Sequence, residues 1–186
     1  MNKLDRRQFF RISFAATASS ALLRAAPLLK AAQTSDPSRV LGANGDIRYA
    51  VIGLNGRGKD HLDAMRQVSG TRLVALCDVD RVVLEEALQK ARDHGGRVQG
   101  YGDPRKLMES KDVDAVFIAT PNHWHSLCAI WAIEAAKDVY VEKPVSHNVW
   151  EGRQLVDAAR RYQRIVQAGT QSRFSSDVAE AIQWMR

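Results

Sequence analysis

The chain has 186 residues, 45% hydrophobic and 26% charged, an ordinary globular composition with length for one well-buried domain and not two. Its formal charge is +6, but within the first 40 residues Lys3, Arg6, Arg7, Arg11, Arg24, Lys30 and Arg39 face only Asp5 and Asp36, which leaves +1 for all that follows. A nearly neutral folded part excludes a phosphate-backbone partner such as nucleic acid, and no apolar run reaches the ~20 residues of a bilayer span.

Arg6-Arg7-Gln8-Phe9-Phe10-Arg11 resembles a twin-arginine export signal, followed by an Ala/Ser-rich apolar stretch from Ile12 to Leu23. The resemblance implies the twin-arginine translocase as a partner during export and a periplasmic or secreted product, with cleavage between about Ala26 and Ala32. An Arg-rich amphipathic surface helix would read similarly. Residues 1–39 are therefore set apart as signal and linker, and the mature protein is expected to be soluble.

From Asp46 onward short β-branched runs alternate with helical patterns, the signature of an α/β fold with a doubly wound parallel sheet. Ile47 to Leu54 reads as a buried strand and His61 to Val68 as a helix carrying Leu62, Met65 and Val68. Arg72 to Cys77 is the second strand. Arg81 to His94 is a helix whose apolar face opens with Val82, Val83 and Leu84 and which stops at Gly95-Gly96. Asp103-Pro104 starts a short helix with proline at its first position, and Ala115 to Ala119 is too apolar to be anything but a central strand. A helix from His123 to Ala136, a strand from Val139 to Val141, a helix from Val149 to Tyr162 and a strand from Ile165 to Ala168 follow. A last helix begins near Asp177 and is still running at Arg186. Cys77 and Cys128 lie outside any CxxC spacing and read as buried thiols.

The first strand-to-helix junction, Gly53-Leu54-Asn55-Gly56-Arg57-Gly58, fits a dinucleotide-binding turn. Gly53 and Gly58 occupy the outer positions of G-x-G-x-x-G. Asn55 stands in the middle, where asparagine tolerates φ > 0 and Gly56 adds freedom. Asp78 ends the second strand at the distance expected of the acid that bonds the adenosine ribose hydroxyls, and its charge repels a 2′-phosphate, so NAD is favoured over NADP. Asp80, in contrast, is expected to cap the following helix.

Two further strand exits carry Thr120-Pro121-Asn122-His123-Trp124-His125 and Glu142-Lys143-Pro144. With the turn, they resemble the Gfo/Idh/MocA family (glucose-fructose oxidoreductase and inositol dehydrogenase), over about Ile47 to Arg173. The resemblance implies a Rossmann-type NAD-binding domain and hydride transfer between nicotinamide and a hydroxyl-bearing carbon of a sugar or polyol. By the same resemblance Thr120, Pro121 and Asn122 line the nicotinamide side, His125 orders that turn, and Glu142 neighbours the nicotinamide ribose. Lys143 points at the substrate hydroxyl, and Gln171 and Arg173 meet a polar substrate. Independently of any family, alcohol oxidation needs a group that takes or steadies the hydroxyl proton, and a lysine of lowered pKa suits it. No metal is expected, because His123, His125 and Cys128 lack carboxylate or paired-thiol support. Ala136 stands where the family usually has a helix-closing glycine, and Asp138 where it often has histidine. The resemblance also implies a second, substrate-binding domain absent from this chain, with 40–173 as the nucleotide domain, 174–186 as the start of the next, and full-length relatives that form homo-oligomers. Two other readings remain open: a glycosidase that uses NAD for transient oxidation, and a non-catalytic nucleotide-binding module.

Overall fold

The computed structural model describes residues 45–171 and 175–185, so the expected export signal lies outside the described residues. Six strands form one sheet: β1 (Ile47–Ile52), β2 (Thr71–Cys77), β3 (Gln99–Tyr101), β4 (Ala115–Ile118), β5 (Asp138–Glu142) and β6 (Val166–Gly169). Their order is β3-β2-β1-β4-β5-β6 and every pairing is parallel. Parallel neighbours need crossovers, and helices supply them: α1 (Arg57–Met65), α2 (Arg81–Asp93), α3 (Pro104–Met108), α4 (His125–Glu134) and α5 (Val149–Tyr162), with α6 (Ser176–Trp184) after the last strand. This is the doubly wound architecture expected from the alternation of patterns. Among the described residues no helix is long and apolar enough to cross a membrane.

Alternate side chains of each strand leave on opposite faces, so β1 feeds two cores. Tyr49 and Val51 pack with Leu62 of α1 and Leu84 and Leu88 of α2. Ala50 and Ile52 pack with Cys128, Ala129, Ala132 and Ile133 of α4 and Leu155 of α5. Burial on both faces explains why Tyr49 to Ile52 of β1 and the whole of β4 read as apolar runs.

Several boundaries differ from the sequence reading. α1 starts at Arg57, directly out of the glycine turn, and not at His61. The segment expected to open a helix at His123 is a 3-10 turn over Asn122–Trp124, and the α-helix starts at His125. β3 escaped notice: it is a three-residue edge strand of Gln99, Gly100 and Tyr101, without an apolar alternation to betray it. Val82 is 67% exposed, and Leu84, Leu88 and Ala91 carry the buried face of α2 instead.

The missing glycine at Ala136 has a structural consequence. Ala136 takes φ 60°, donating to Ile133 O at 3.0 Å while Lys137 donates to Ala132 O at 2.9 Å, the paired bonds of a Schellman close. A Cβ disfavours that backbone region. Ala136→Gly is expected to raise stability by about 0.5–1 kcal/mol, seen as a thermal midpoint higher by roughly 1–4 °C; an unchanged or lower midpoint would contradict the strain argument.

Candidate functional site

β1 delivers the chain into the turn at Gly53, whose φ is 84° and whose N–H donates to Cys77 O at 2.9 Å. A Cβ there would stand 2.7 Å from Ala119 O and 2.9 Å from Thr120 N, so only glycine lets the exits of β1 and β4 approach. Gly56 has φ 47°, whereas Asn55 is not in the left-handed region; the freedom expected at the middle position is used one residue later. A Cβ on Gly58 would collide with the carbonyl oxygen of Gly53, which sets how tightly α1 packs on β1. α1 has no side-chain cap, while α2, α3 and α5 are capped by Asp80, Asp103 and Asn148. Its open amide end, at a glycine turn, is suited to an anion.

Asp80 caps α2, as expected, and Asp78 does not. Asp80 accepts from the N–H groups of Val82 and Val83 at the start of α2. Asp78 accepts from Leu54 N at 2.8 Å and from Asp80 N at 3.0 Å, which fixes its carboxylate against the turn. Both residues' neighbours open onto a cavity of about 640 Å³, within the range of small-molecule and cofactor sites. Gly53, Asn55, Asp78, Thr120 and Pro121 form part of its wall, and Cys77, Trp124, Cys128 and Trp131, none of them expected to bind a ligand, form an apolar part. Thr120 Oγ1 is buried in this wall without a hydrogen-bond partner among the described residues. Both thiols are 1% exposed, and burial pushes each up to about 12, so they line the cavity as neutral, inert groups.

A second cluster gathers beside the first. Glu142, 3% exposed, turns its carboxylate inward. It receives Gln171 Nε2 at 3.1 and 3.2 Å, Arg57 Nε at 3.4 Å and the N–H of Lys143 at 3.3 Å. His61 Nε2 lies 2.9 Å from Glu142 Oε1 but is misaligned for a hydrogen bond. Burial lowers the His61 pKa, against the pull of Glu142, and its ring packs on Tyr140 and Phe117. His61 was not foreseen, although it follows Arg57 by one helical turn on the same face. Lys143 is exposed and lies outside the cavity lining, as do Asn122, Glu142 and Gln171. His125, 2% exposed, sits between the two exits: Nε2 is 2.7 Å from Thr120 O and Nδ1 is 2.6 Å from Pro144 O. Arg173 lies outside the described residues.

Residues 47–170 match the oxidoreductase family described as having an NAD-binding Rossmann fold. The chain is 33% identical over 177 residues to a glycosyl hydrolase family 109 protein from Shewanella pealeana, a match covering 87% of this chain and 38% of that protein. Among solved structures it is similar to the myo-inositol 2-dehydrogenase from Lactobacillus plantarum, with a TM-score of 0.68 and 26% identity over 75% of this chain and 41% of that one. It is also similar to the WlbA dehydrogenase from Chromobacterium violaceum, solved with NADH and UDP-GlcNAcA, with a TM-score of 0.63 and 26% identity over 69% of this chain and 36% of that one. The chain thus spans about two fifths of the length of these relatives. The glycine turn, Asp78 and the two strand-exit motifs all fall within the matched residues, and the chain belongs to the Gfo/Idh/MocA family of oxidoreductases through its NAD-binding Rossmann domain.

Proposed function

We propose that the cavity takes NAD and that the protein is an NAD-dependent oxidoreductase acting on a hydroxyl-bearing carbon of a sugar or polyol. The observation that carries this reading is the convergence on one cavity of Gly53 and Asn55 from the glycine turn, the anchored Asp78 carboxylate and the Thr120-Pro121 exit. Bound nicotinamide would supply the hydride acceptor. The chain's own residues would do the rest. The open start of α1, at Gly56, Arg57 and Gly58, would receive the pyrophosphate. Asp78 would bond the adenosine ribose hydroxyls, and Thr120, Pro121 and Asn122 would flank the nicotinamide half. The Lys143 ammonium would hydrogen-bond the substrate hydroxyl oxygen and hold it in place. Glu142 would fix Arg57 and Gln171 around that exit, with Gln171 and Arg173 toward the substrate. NAD is favoured over NADP because Asp78 repels a 2′-phosphate and because Arg105, the cation in the same wall, is held bidentately by Asp103.

The family 109 relative supports a second reading, in which NAD is held and the substrate is transiently oxidised, cleaved and reduced again. Arg6-Arg7 and the apolar stretch after them support export by the twin-arginine translocase to the periplasm or beyond. In this reading residues 1–39 are signal and linker, 40–173 the nucleotide domain and 174–186 the start of a substrate domain, whose relatives form homo-oligomers.

Calorimetric titration of the chain with NAD and NADP tests the cofactor reading. Saturable NAD binding, weaker for NADP, is expected; a folded chain that binds neither would overturn it. With a sugar or polyol and NAD, accumulation of NADH supports the dehydrogenase, and release of the aryl group from an aryl glycoside without NADH supports the glycosidase. NAD binding with neither reaction leaves the nucleotide-binding module.

A further inference from the structure

The first turn of α4 lies between two strand exits that the proposed reaction must hold in register. We infer that His125 and Ser126 are positioning residues that clamp the Lys143 turn to the Thr120–Asn122 turn, fixing the separation between substrate-holding lysine and nicotinamide. The inference rests on the NAD reading of the cavity. Asp78 directs the adenosine toward β2 and the start of α1 takes the pyrophosphate, so the other mononucleotide extends over the exits of β4 and β5.

His125 spans those exits with one ring. Each of its nitrogens faces a carbonyl oxygen, Thr120 O at 2.7 Å and Pro144 O at 2.6 Å. Ser126 adds a second hook, its hydroxyl donating to Val145 O at 2.9 Å. Both side chains are 2% exposed, although Pro144 itself is an exposed residue. The residue before Lys143 is equally fixed, because the Glu142 carboxylate is bonded by Arg57 and Gln171. Lys143 is therefore an exposed side chain, with no hydrogen-bond partner among the described residues, on a backbone anchored at both sides. A flexible four-carbon stem can place its ammonium reproducibly only if its root does not move.

The two ring nitrogens can be tested separately. An asparagine amide reaches where Nδ1 is and can donate to Pro144 O, whereas a glutamine amide reaches where Nε2 is and can donate to Thr120 O. In the full chain, NAD and ADP-ribose affinities are measured by calorimetry, and amide hydrogen exchange is followed in peptides covering residues 119–124 and 143–147. ADP-ribose lacks only the nicotinamide ring, so its affinity reports the adenosine, pyrophosphate and ribose contacts without that ring. The wild type is expected to prefer NAD by about tenfold. His125→Gln should keep that preference and speed exchange only in 143–147. His125→Asn should lose the preference, keep ADP-ribose affinity and speed exchange in 119–124. Ser126→Ala should speed exchange in 143–147 alone. Unchanged exchange in both segments in these variants and in His125→Ala would overturn the clamp. Loss of ADP-ribose binding in every His125 variant would also overturn it, making the residue a general support of the fold. A wild-type chain that binds neither ligand would instead sink the cofactor reading on which the clamp depends.

Discussion

Gly58→Ala is expected to destabilise the domain by about 3 kcal/mol or more, lowering the thermal midpoint by roughly 10 °C and abolishing NAD binding. The added methyl would meet the carbonyl oxygen of Gly53, a backbone atom with no freedom to step aside. Gly53 is already in a left-handed conformation, bonded to Cys77 O and pressed against Ala119 and Thr120. α1 would have to lift off β1, taking with it Leu62 and the open amide end of the turn. Gly56→Ala is the informative control. Nothing lies within 4 Å of a Cβ there, so only the backbone conformation, φ 47° with ψ −115°, is penalised, at about 1–3 kcal/mol. Circular dichroism melts with and without NAD would separate the two variants. A Gly58→Ala protein with a wild-type melt would mean that the helix can shift on the sheet and that the turn is looser than described.

Asp78→Ala is expected to cost about 10- to 100-fold in NAD affinity, the worth of hydrogen bonds to a charged group. It should also erase the preference over NADP. Two effects combine. The carboxylate presented to the ribose is lost, and Leu54 N and Asp80 N lose the acceptor that shapes the turn. Because the second effect weakens both cofactors alike, the ratio of NAD to NADP affinity isolates the first. A ratio that stays as in the wild type would remove Asp78 from the role of selecting the cofactor and turn attention to Arg105, freed from Asp103.

Much of this arrangement was readable in the sequence because it rests on local rules. The apolar runs of β1 and β4, the glycine stop at Gly95, proline at the first position of α3 and the Asp80 cap each follow from residues adjacent in the chain. The phosphate turn and Asp78 were readable because their spacing is set by one βαβ unit. What escaped depended on partners far apart in sequence. β3 is a strand only because Gln99, Gly100 and Tyr101 lie beside Ala75, Leu76 and Cys77. His61 matters only because β5 brings Glu142 against α1. The inward turn of Glu142 and the double reach of His125 likewise depend on how two strand exits lie side by side, which no spacing encodes. Asn55 was credited with a conformation that Gly56 takes because both residues permit it, and the chain used the one without a side chain.

The parallel sheet also governs when the site can come into being. β1, β2 and β3 are consecutive in the chain, as are β4, β5 and β6, and each trio can zip up through its own crossovers. The seam between the trios is the pairing of β1 with β4, near which Arg48 and Asp114 join across 66 residues. Closing that loop costs more chain entropy than any pairing within a trio and is expected to come last. Gly53 and Asp78 belong to one trio, Thr120, Pro121 and Lys143 to the other, so neither half-assembled piece holds the complete dinucleotide site. Ligand added during refolding should therefore leave the early phase untouched and act only by slowing the reopening of the seam.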